Sequence, residues 1–125
     1  MQEHGIDRYR KVQIETASPG QLVVMMYEAT ARFLVRAADL MNDSRYEDSE
    51  YWAGRANEVV YELMGSLDFQ LGRDIASTLS ATYTMTIREI LRAQIRKEPD
   101  ILNKLGLLYA DLAKGWQEAV SRQAV

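Results

Sequence analysis

Few side chains in this sequence could catalyse a reaction or bind a metal ion. The chain has no cysteine, and its only histidine, His4, stands near the start. A histidine-based catalytic pair, or a metal site with several histidine ligands, therefore cannot be assembled. Thiolate chemistry and disulfides are excluded as well. A chain without cysteine fits a reducing compartment, so we expect a cytoplasmic location.

The acidic residues and glycines complete no catalytic or cofactor-binding motif. There is no Glu-x-x-His motif of the kind that helical di-iron proteins need. There is also no GxxxxGK[ST] or GxGxxG loop, so no site for a nucleotide phosphate is indicated. We therefore expect a protein that is not an enzyme and has no catalytic, metal-binding or cofactor-binding residues.

The charge distribution argues against nucleic acid and membrane partners. The net charge is −3, and acids such as Glu89 and Glu98 intersperse the one basic cluster, which is typical of a solvated helix face. Apolar runs are much shorter than the roughly 20 residues that cross a bilayer, and the polar first residues do not resemble a signal sequence. We expect neither nucleic acid binding nor membrane insertion. The basic cluster consists of Arg88, Arg92, Arg96 and Lys97.

The best-defined structural signal is a helix start at residues 18–21. Ser18 suits the N-cap, Pro19 suits the first helical position, and Gln21 completes a capping box. Apolar residues at helical spacing continue in four segments, at 19–42, about 50–71, from 73 or 74 onward, and from 99 onward. Long helices with short connections predict an all-α fold. We expect residues 16–125 to form an antiparallel up-and-down four-helix bundle.

Residues 1–15 are set apart from this pattern by their polarity. Ile6, Tyr9 and Val12 have helical spacing, but the segment is too short to hold a helix by itself. We expect a mobile N-terminal arm that docks, if it docks, through these three side chains. The alternative is a frayed, solvated terminus.

Apolar residues also occur away from the predicted inner helix faces. At about 100° per residue, Val24 and Val35 fall on the far side of the first long helix. An amphipathic client helix could use such residues as a groove, whereas scattered surface residues need no partner. We call the set the outer apolar seam; it comprises Val24, Val35, Tyr61, Leu91, Ile95 and Leu107.

Glycines and aromatic residues mark two further features. Gly54 and Gly65 interrupt the outer side of the second long segment, which predicts either a closely approaching neighbour or tolerated exposed glycines. Aromatic residues at inner positions predict core packing rather than a ligand site. These aromatic residues are Trp52, Tyr83, Tyr109 and Trp116.

The residues around the capped helix resemble the flagellin export chaperone family FliS. The resemblance starts at Tyr9 and Thr16, runs through TASP to Leu22, and includes the pair Met26 and Tyr27. It covers nearly the whole chain, because ELMGSLDFQLGRDIA at 62–76 resembles the family as well. Where the family usually has LYDYM, this chain has TYTMT at 82–86. Later matches are Leu79, Tyr83, Ala93, Trp116, Glu118 and Ala119.

The resemblance implies a cytoplasmic chaperone that binds the disordered C-terminal region of flagellin, prevents premature polymerisation and helps present flagellin to the flagellar type III export gate. It also implies that the arm, with Tyr9 as its tyrosine, occupies part of the groove before flagellin arrives. On this hypothesis the outer apolar seam binds the client, and Ile6, Tyr9 and Val12 form a displaceable plug. The alternative is a structural bundle that homodimerises through the same seam and has no export role.

Overall fold

Five α-helices account for most of the described chain. The computed structural model describes the backbone of residues 2–68 and 72–123 and the side chains of residues 8–68 and 72–122. The prediction of an all-α fold is confirmed for these ranges. The predicted count of four helices is not, because an additional helix precedes the other four. The helices are α1 Gln2–Thr16, α2 Pro19–Asn42, α3 Tyr46–Gly65, α4 Arg73–Arg96 and α5 Pro99–Gln123.

Helix α1 contradicts the expectation that the first residues are too short to form a helix. Its 15 residues lie at the length where an isolated helix becomes marginal rather than impossible. The Thr16 hydroxyl donates to the Val12 carbonyl oxygen at 2.8 Å and closes the last turn. Only Ala17 and Ser18 separate α1 from α2, so the two helices are joined by a very short connection.

Helix α2 begins at the predicted capping box. The Gln21 backbone N–H donates to Ser18 Oγ at 3.2 Å, and the Ser18 backbone N–H donates to Gln21 Oε1 at 2.8 Å. These bonds satisfy backbone donors that a helix start leaves without a partner, and Pro19 needs no such partner. Both predicted ends of this helix, at residues 19 and 42, are confirmed.

Helix α3 starts and ends earlier than the predicted range of 50–71. Glu47 and Asp48 lie in its first turn, where their charge favours the positive end of a helix. At the other end, the Ser66 hydroxyl donates to the Leu63 carbonyl oxygen at 2.8 Å and competes with a further helical turn. The predicted starts of the next two helices are confirmed, at Arg73 and Pro99.

Helix α2 lies between α3 and α5, and α4 packs against α3 and α5. The Ser49 hydroxyl donates to the Ala37 carbonyl oxygen at 2.7 Å and ties α3 to α2 inside the core. Helices α2 and α5 are antiparallel, because Gly20 lies against Val120 and Gly106 lies against Val35. We call α2 to α5 the helical body.

Candidate functional site

The interior of the helical body contains a hydrogen-bonded cluster of tyrosines. The hydroxyls of Tyr27 and Tyr83 are 2.6 Å apart, and both side chains are buried. The Tyr109 hydroxyl donates to Thr86 Oγ1 at 2.8 Å, and the Thr86 hydroxyl donates to the Thr82 carbonyl oxygen at 2.8 Å. The Tyr27 ring also lies edge-on to Tyr109, with ring centroids 5.9 Å apart. The cluster links α2, α4 and α5.

Burial raises the pKa of all three tyrosines above the ordinary value for a phenol. It raises the pKa of Tyr109 to about 12, although the hydrogen bond with Thr86 opposes the change. Burial also raises the pKa of Tyr83, and the hydrogen bond with Tyr27 adds to the effect. The pKa of Tyr27 is raised by burial and lowered in part by the same bond. None of the three hydroxyls is a candidate acid or base near neutral pH.

The interpretation of the inner aromatic residues as packing residues is confirmed. Tyr83 and Tyr109 are buried, and Trp52 and Trp116 are partly buried against the core. The Tyr27 and Trp116 rings meet edge-to-face, with centroids 5.9 Å apart. Aromatic rings in such an arrangement stabilise the core beyond the area they bury.

An open cleft of about 1020 Å³ lies between α1 and the helical body. Its walls come from the second half of α1, the outer side of α2 and the end of α3. Apolar side chains such as Ile14, Met25 and Val59 alternate with charged ones such as Arg10, Arg32 and Glu62. A cleft of this size and mixed lining could receive a polypeptide segment.

The predicted plug is not seated in this cleft. Tyr9 is 67% exposed and Val12 is 57% exposed, and neither lines the cleft. The side of α1 that faces the cleft instead carries Arg10, Gln13 and Ile14. The side chain of Ile6 lies outside the described residues. Sequence spacing suggested one helix face, and the structure turns a neighbouring face toward the body.

The placement of Val24 on an exposed outer seam is wrong. Val24 is only 4% exposed, and Ala31, which follows it by two turns, is also buried. The reason is that α2 has neighbours on two sides, so its buried arc is wider than one apolar stripe. Val24 nevertheless lines the floor of the cleft.

The other five residues of the outer apolar seam are exposed, but they do not form one continuous groove with the cleft. Leu91 is 57% exposed and Ile95 is 72% exposed, and they lie one turn apart on α4. Val35 and Leu107 mark the contact between α2 and α5, because Val35 lies against Gly106. Tyr61 stands exposed on α3. None of the five lines the cleft, and they are distributed over the four helices of the body.

The structure also exposes apolar residues that the sequence pattern did not single out. Ile75 is exposed because it lies in the first turn of α4, at one end of the helical body. Tyr51 is exposed on α3, beside the partly buried Trp52. Helical periodicity alone does not reveal where a neighbouring helix stops.

The two interior glycines do not admit a neighbouring helix. A Cβ atom added at Gly54 or Gly65 would meet no heavy atom within 4 Å among the described residues. Of the two interpretations that the sequence left open, the structure favours glycines tolerated on an open side of α3.

The basic cluster of α4 is partly engaged with its own surroundings. Arg92 lies 3.8 Å from Glu89, and the Lys97 ammonium lies 4.2 Å from the centre of the Tyr46 ring. Within the described ranges, no set of acids and histidines could hold a metal ion. None of the helices in those ranges contains an apolar stretch that could span a membrane.

Comparison with known proteins places this architecture in a family. The model of the family described as flagellar protein FliS matches residues 2–123. The chain belongs to the FliS family. A relative from Campylobacter jejuni, a flagellar secretion chaperone FliS, is 28% identical over 117 residues, which cover 94% of this chain and 91% of the relative. The flagellar secretion chaperone FliS of Salmonella typhimurium is 29% identical, over 91% of this chain and 88% of the relative.

A solved structure of another protein has the same fold. A bacterial flagellar chaperone superposes with a TM-score of 0.78 at 18% sequence identity, covering 98% of this chain and 99% of the other. At this identity the likeness concerns the fold alone. The shared fold thus spans almost the whole chain, including the region of α1.

Proposed function

We propose that this FliS family member is a cytoplasmic secretion chaperone for flagellin. It binds the disordered C-terminal region of flagellin, prevents premature polymerisation and helps deliver flagellin to the flagellar type III export gate. The observation that supports this proposal most directly is the set of exposed apolar side chains on the helical body. Leu91, Ile95 and Leu107 are each more than half exposed, although large apolar residues usually gain by burial.

The physical argument concerns the cost of ordering a disordered client. A segment that folds on binding loses conformational entropy, so it needs apolar contact spread along its length rather than one deep pocket. Separate apolar patches on α2 to α5 suit a client that wraps around the body. An amphipathic client helix could place one apolar anchor on each patch.

The cleft gives α1 a place in this mechanism. The floor of the cleft is apolar where Val24, Met25 and Met26 line it, and α1 reaches over it on a two-residue connection. In our proposal α1 covers this floor when no client is present, through the face that carries Arg10, Gln13 and Ile14 rather than through Tyr9 and Val12. Client binding then displaces α1.

The test is binding of a labelled flagellin C-terminal peptide, measured by fluorescence anisotropy. We expect Leu91→Asp with Ile95→Asp to weaken binding by more than about tenfold, since each carboxylate opposes burial of the patch. Tyr61→Asp should weaken it as well. Ser77→Asp, on the exposed side of the same helix as Leu91, is the control for the effect of an added carboxylate on α4. Circular dichroism should show the same helicity for all variants.

Unchanged affinity in both the α4 double variant and the Tyr61 variant would remove these patches from the proposed binding surface. Val24→Asp is not a suitable probe, because a buried carboxylate would destabilise the fold itself.

The second candidate function is a structural protein that homodimerises through the same apolar patches. The exposure of Leu107 and Val35 along the contact of α2 and α5 is compatible with either role. Sedimentation with and without the peptide separates the two. A tight dimer whose sedimentation does not change when the peptide is added would favour the structural role. A monomer that binds the peptide would favour the chaperone.

A further inference from the structure

Helices α3 and α4 are antiparallel neighbours that pack against each other. The Lys97 ammonium, just after the end of α4, lies 4.2 Å from the centre of the Tyr46 ring at the start of α3. The start of α3 is therefore level with the end of α4.

Exposed apolar side chains of both helices lie on one outer side of the helical body. On α4, Thr86 faces α5, and Leu91 and Ile95 lie about 140° and 180° around the helix from it. On α3, Ser49 faces α2, and Tyr61 lies about 120° around the helix from it in the same sense. Because the two helices are antiparallel neighbours, these rotations bring the three exposed side chains to the same side. We call this side, with Tyr61, Leu91 and Ile95, the α3–α4 face.

The two helices of this face have net charges of opposite sign. Helix α3 contains five acidic residues and one basic residue, whereas α4 contains four basic residues and two acidic ones. Glu47 and Glu50 are exposed on α3, and Arg88 and Arg92 are exposed on α4. Within the described ranges no ion pair joins α3 to α4. The opposite charges of the two helices are therefore available to a partner.

A second copy of this chain fits the α3–α4 face, because the face complements itself. A twofold axis parallel to the two helices places α3 of each copy against α4 of the other, and it keeps their levels matched. Glu47 and Glu50 then face the arginines of the last turns of α4 in the partner subunit. Opposite charges that meet in this way favour one partner and one register. The exposed apolar side chains of the two copies meet between the charged ones.

The chain also exposes more surface than a compact protein of its mass. Its accessible surface is 8709 Å², which is about 1900 Å² more than the roughly 6800 Å² expected for 14.3 kDa. The exposed helix α1 accounts for part of this excess. A stable interface of standard size covers about 800 Å² on each partner, so the excess is large enough to include one.

We propose that the α3–α4 face joins two copies of this chain into a dimer, and that the client displaces the second copy. The displacement rests on the proposed function, because Tyr61, Leu91 and Ile95 would serve both the second copy and the client. The dimer keeps these apolar side chains out of water until a client binds. Unlike a dimer with a purely structural role, it dissociates when the client binds.

Charge reversal tests the dimer, with sedimentation velocity at several protein concentrations and about 0.15 M salt, where long-range repulsion is screened. Arg88→Glu with Arg92→Glu makes both helices of the face acidic, and Glu47→Lys with Glu50→Lys places lysines opposite the partner's arginines. Each double variant alone should dimerise at least about tenfold more weakly than the unchanged chain. An equimolar mixture of the two should form a heterodimer, because the reversed charges again attract across both halves of the interface.

The matched control is Lys104→Glu with Lys114→Glu on α5. Both lysines are exposed, and the change in net charge equals that of the α4 double variant. This control should dimerise like the unchanged chain. Circular dichroism should show the same helicity for all variants.

Three results would overturn the proposed dimer. The unchanged chain could stay monomeric up to about 100 μM, which would leave the face to the client alone. The mixture could fail to form a heterodimer, or the α5 control could dimerise as weakly as the α4 variant.

Addition of the flagellin C-terminal peptide tests the displacement. We expect it to convert the dimer into monomers that carry the peptide. A dimer that binds the peptide without dissociating would overturn the displacement and keep the chaperone function. A charge-dependent dimer that never binds the peptide would support the interface and overturn the chaperone function, so the two failures are distinguishable.

Discussion

At the scale of single residues, the tyrosine cluster decides how α2, α4 and α5 meet. Tyr27 and Tyr83 each bring a polar hydroxyl into the core, and each hydroxyl has the other as its partner. A buried hydroxyl without a hydrogen-bond partner costs free energy, so the fold is stable only when the two hydroxyls lie within hydrogen-bonding distance of each other. The pair therefore favours one alignment of α2 and α4.

We predict that Tyr83→Phe lowers the free energy of unfolding by about 1 to 3 kcal/mol, because it leaves the buried Tyr27 hydroxyl without its partner. The double variant Tyr27→Phe with Tyr83→Phe should be less destabilised than the sum of the single variants. Urea denaturation of the four proteins measures this coupling. Additive effects of the two substitutions would show that the hydroxyl pair contributes no coupling energy.

The raised pKa values predict a loss of stability at alkaline pH. Unfolded tyrosines release their protons near pH 10, whereas folded Tyr109 holds its proton up to about 12. Between these values the unfolded state binds fewer protons, so stability falls as pH rises, by about 1.4 kcal/mol per pH unit for each such tyrosine. Urea denaturation between pH 9 and 12 would follow this decline.

The control for the alkaline experiment is Tyr109→Phe. Its stability should decline less steeply above pH 10, because one titrating hydroxyl is missing. Thr86 keeps its own hydrogen bond to the Thr82 carbonyl oxygen in that variant. An equally steep decline would mean that Tyr109 does not contribute to the pH dependence.

At the scale of elements, close contact of α2 and α5 depends on a glycine. A Cβ atom at Gly106 would lie 3.0 Å from Val35 Cγ2 and 3.5 Å from the Ala31 carbonyl oxygen. The neighbouring valine is branched at Cβ and has few alternative rotamers, so it cannot readily give way. The same helix contains Gly115, where an added Cβ would have no heavy atom of the described residues within 4 Å.

We predict opposite outcomes for the two glycines. Gly115→Ala should raise the free energy of unfolding by up to about 1 kcal/mol, since alanine favours the helix more than glycine does. Gly106→Ala should be less stable than Gly115→Ala by at least about 1 kcal/mol, because crowding against Val35 offsets the helix gain. Thermal and urea denaturation measure both. Equal gains would show that α5 can move away from α2 at little cost.

At the scale of the whole molecule, a cleft lies between α1 and the helical body, and a short connection joins the two. The described side chains of α1, from residue 8 onward, are exposed, and a cleft separates the helix from α2. Helices with little apolar burial open or move at low cost in free energy. This arrangement allows α1 to change position while the body stays folded.

We predict that deletion of residues 1–13 changes the free energy of unfolding of the body by less than about 1 kcal/mol, because those residues contribute little burial. The deletion should strengthen binding of the flagellin peptide or promote self-association, since α1 no longer covers the cleft. Urea denaturation and sedimentation measure the two effects. A large loss of stability would show instead that α1 is an integral part of the core.

The sequence by itself determined those features that depend on local chemistry. The capping box at Ser18 and Gln21 defines the start of α2, because backbone N–H groups at a helix start need partners close in sequence. Pro19 and Pro99 mark first helical positions, because proline has no backbone N–H that would need a partner there. Helical periodicity indicated the all-α class and the core position of Tyr83 and Tyr109. The resemblance to the FliS family also followed from local motifs.

Only the tertiary structure decided which apolar residues are covered. Val24 is buried because α2 has neighbours on two sides, and Ile75 is exposed because it lies at one end of the body. The cleft between α1 and the body depends on how the helices are oriented. The close contact at Gly106 and the pairing of Arg36 with Trp52 bring together residues that are distant in sequence. Periodicity assigns a residue to a face of its own helix, but burial depends on which other helix reaches that face.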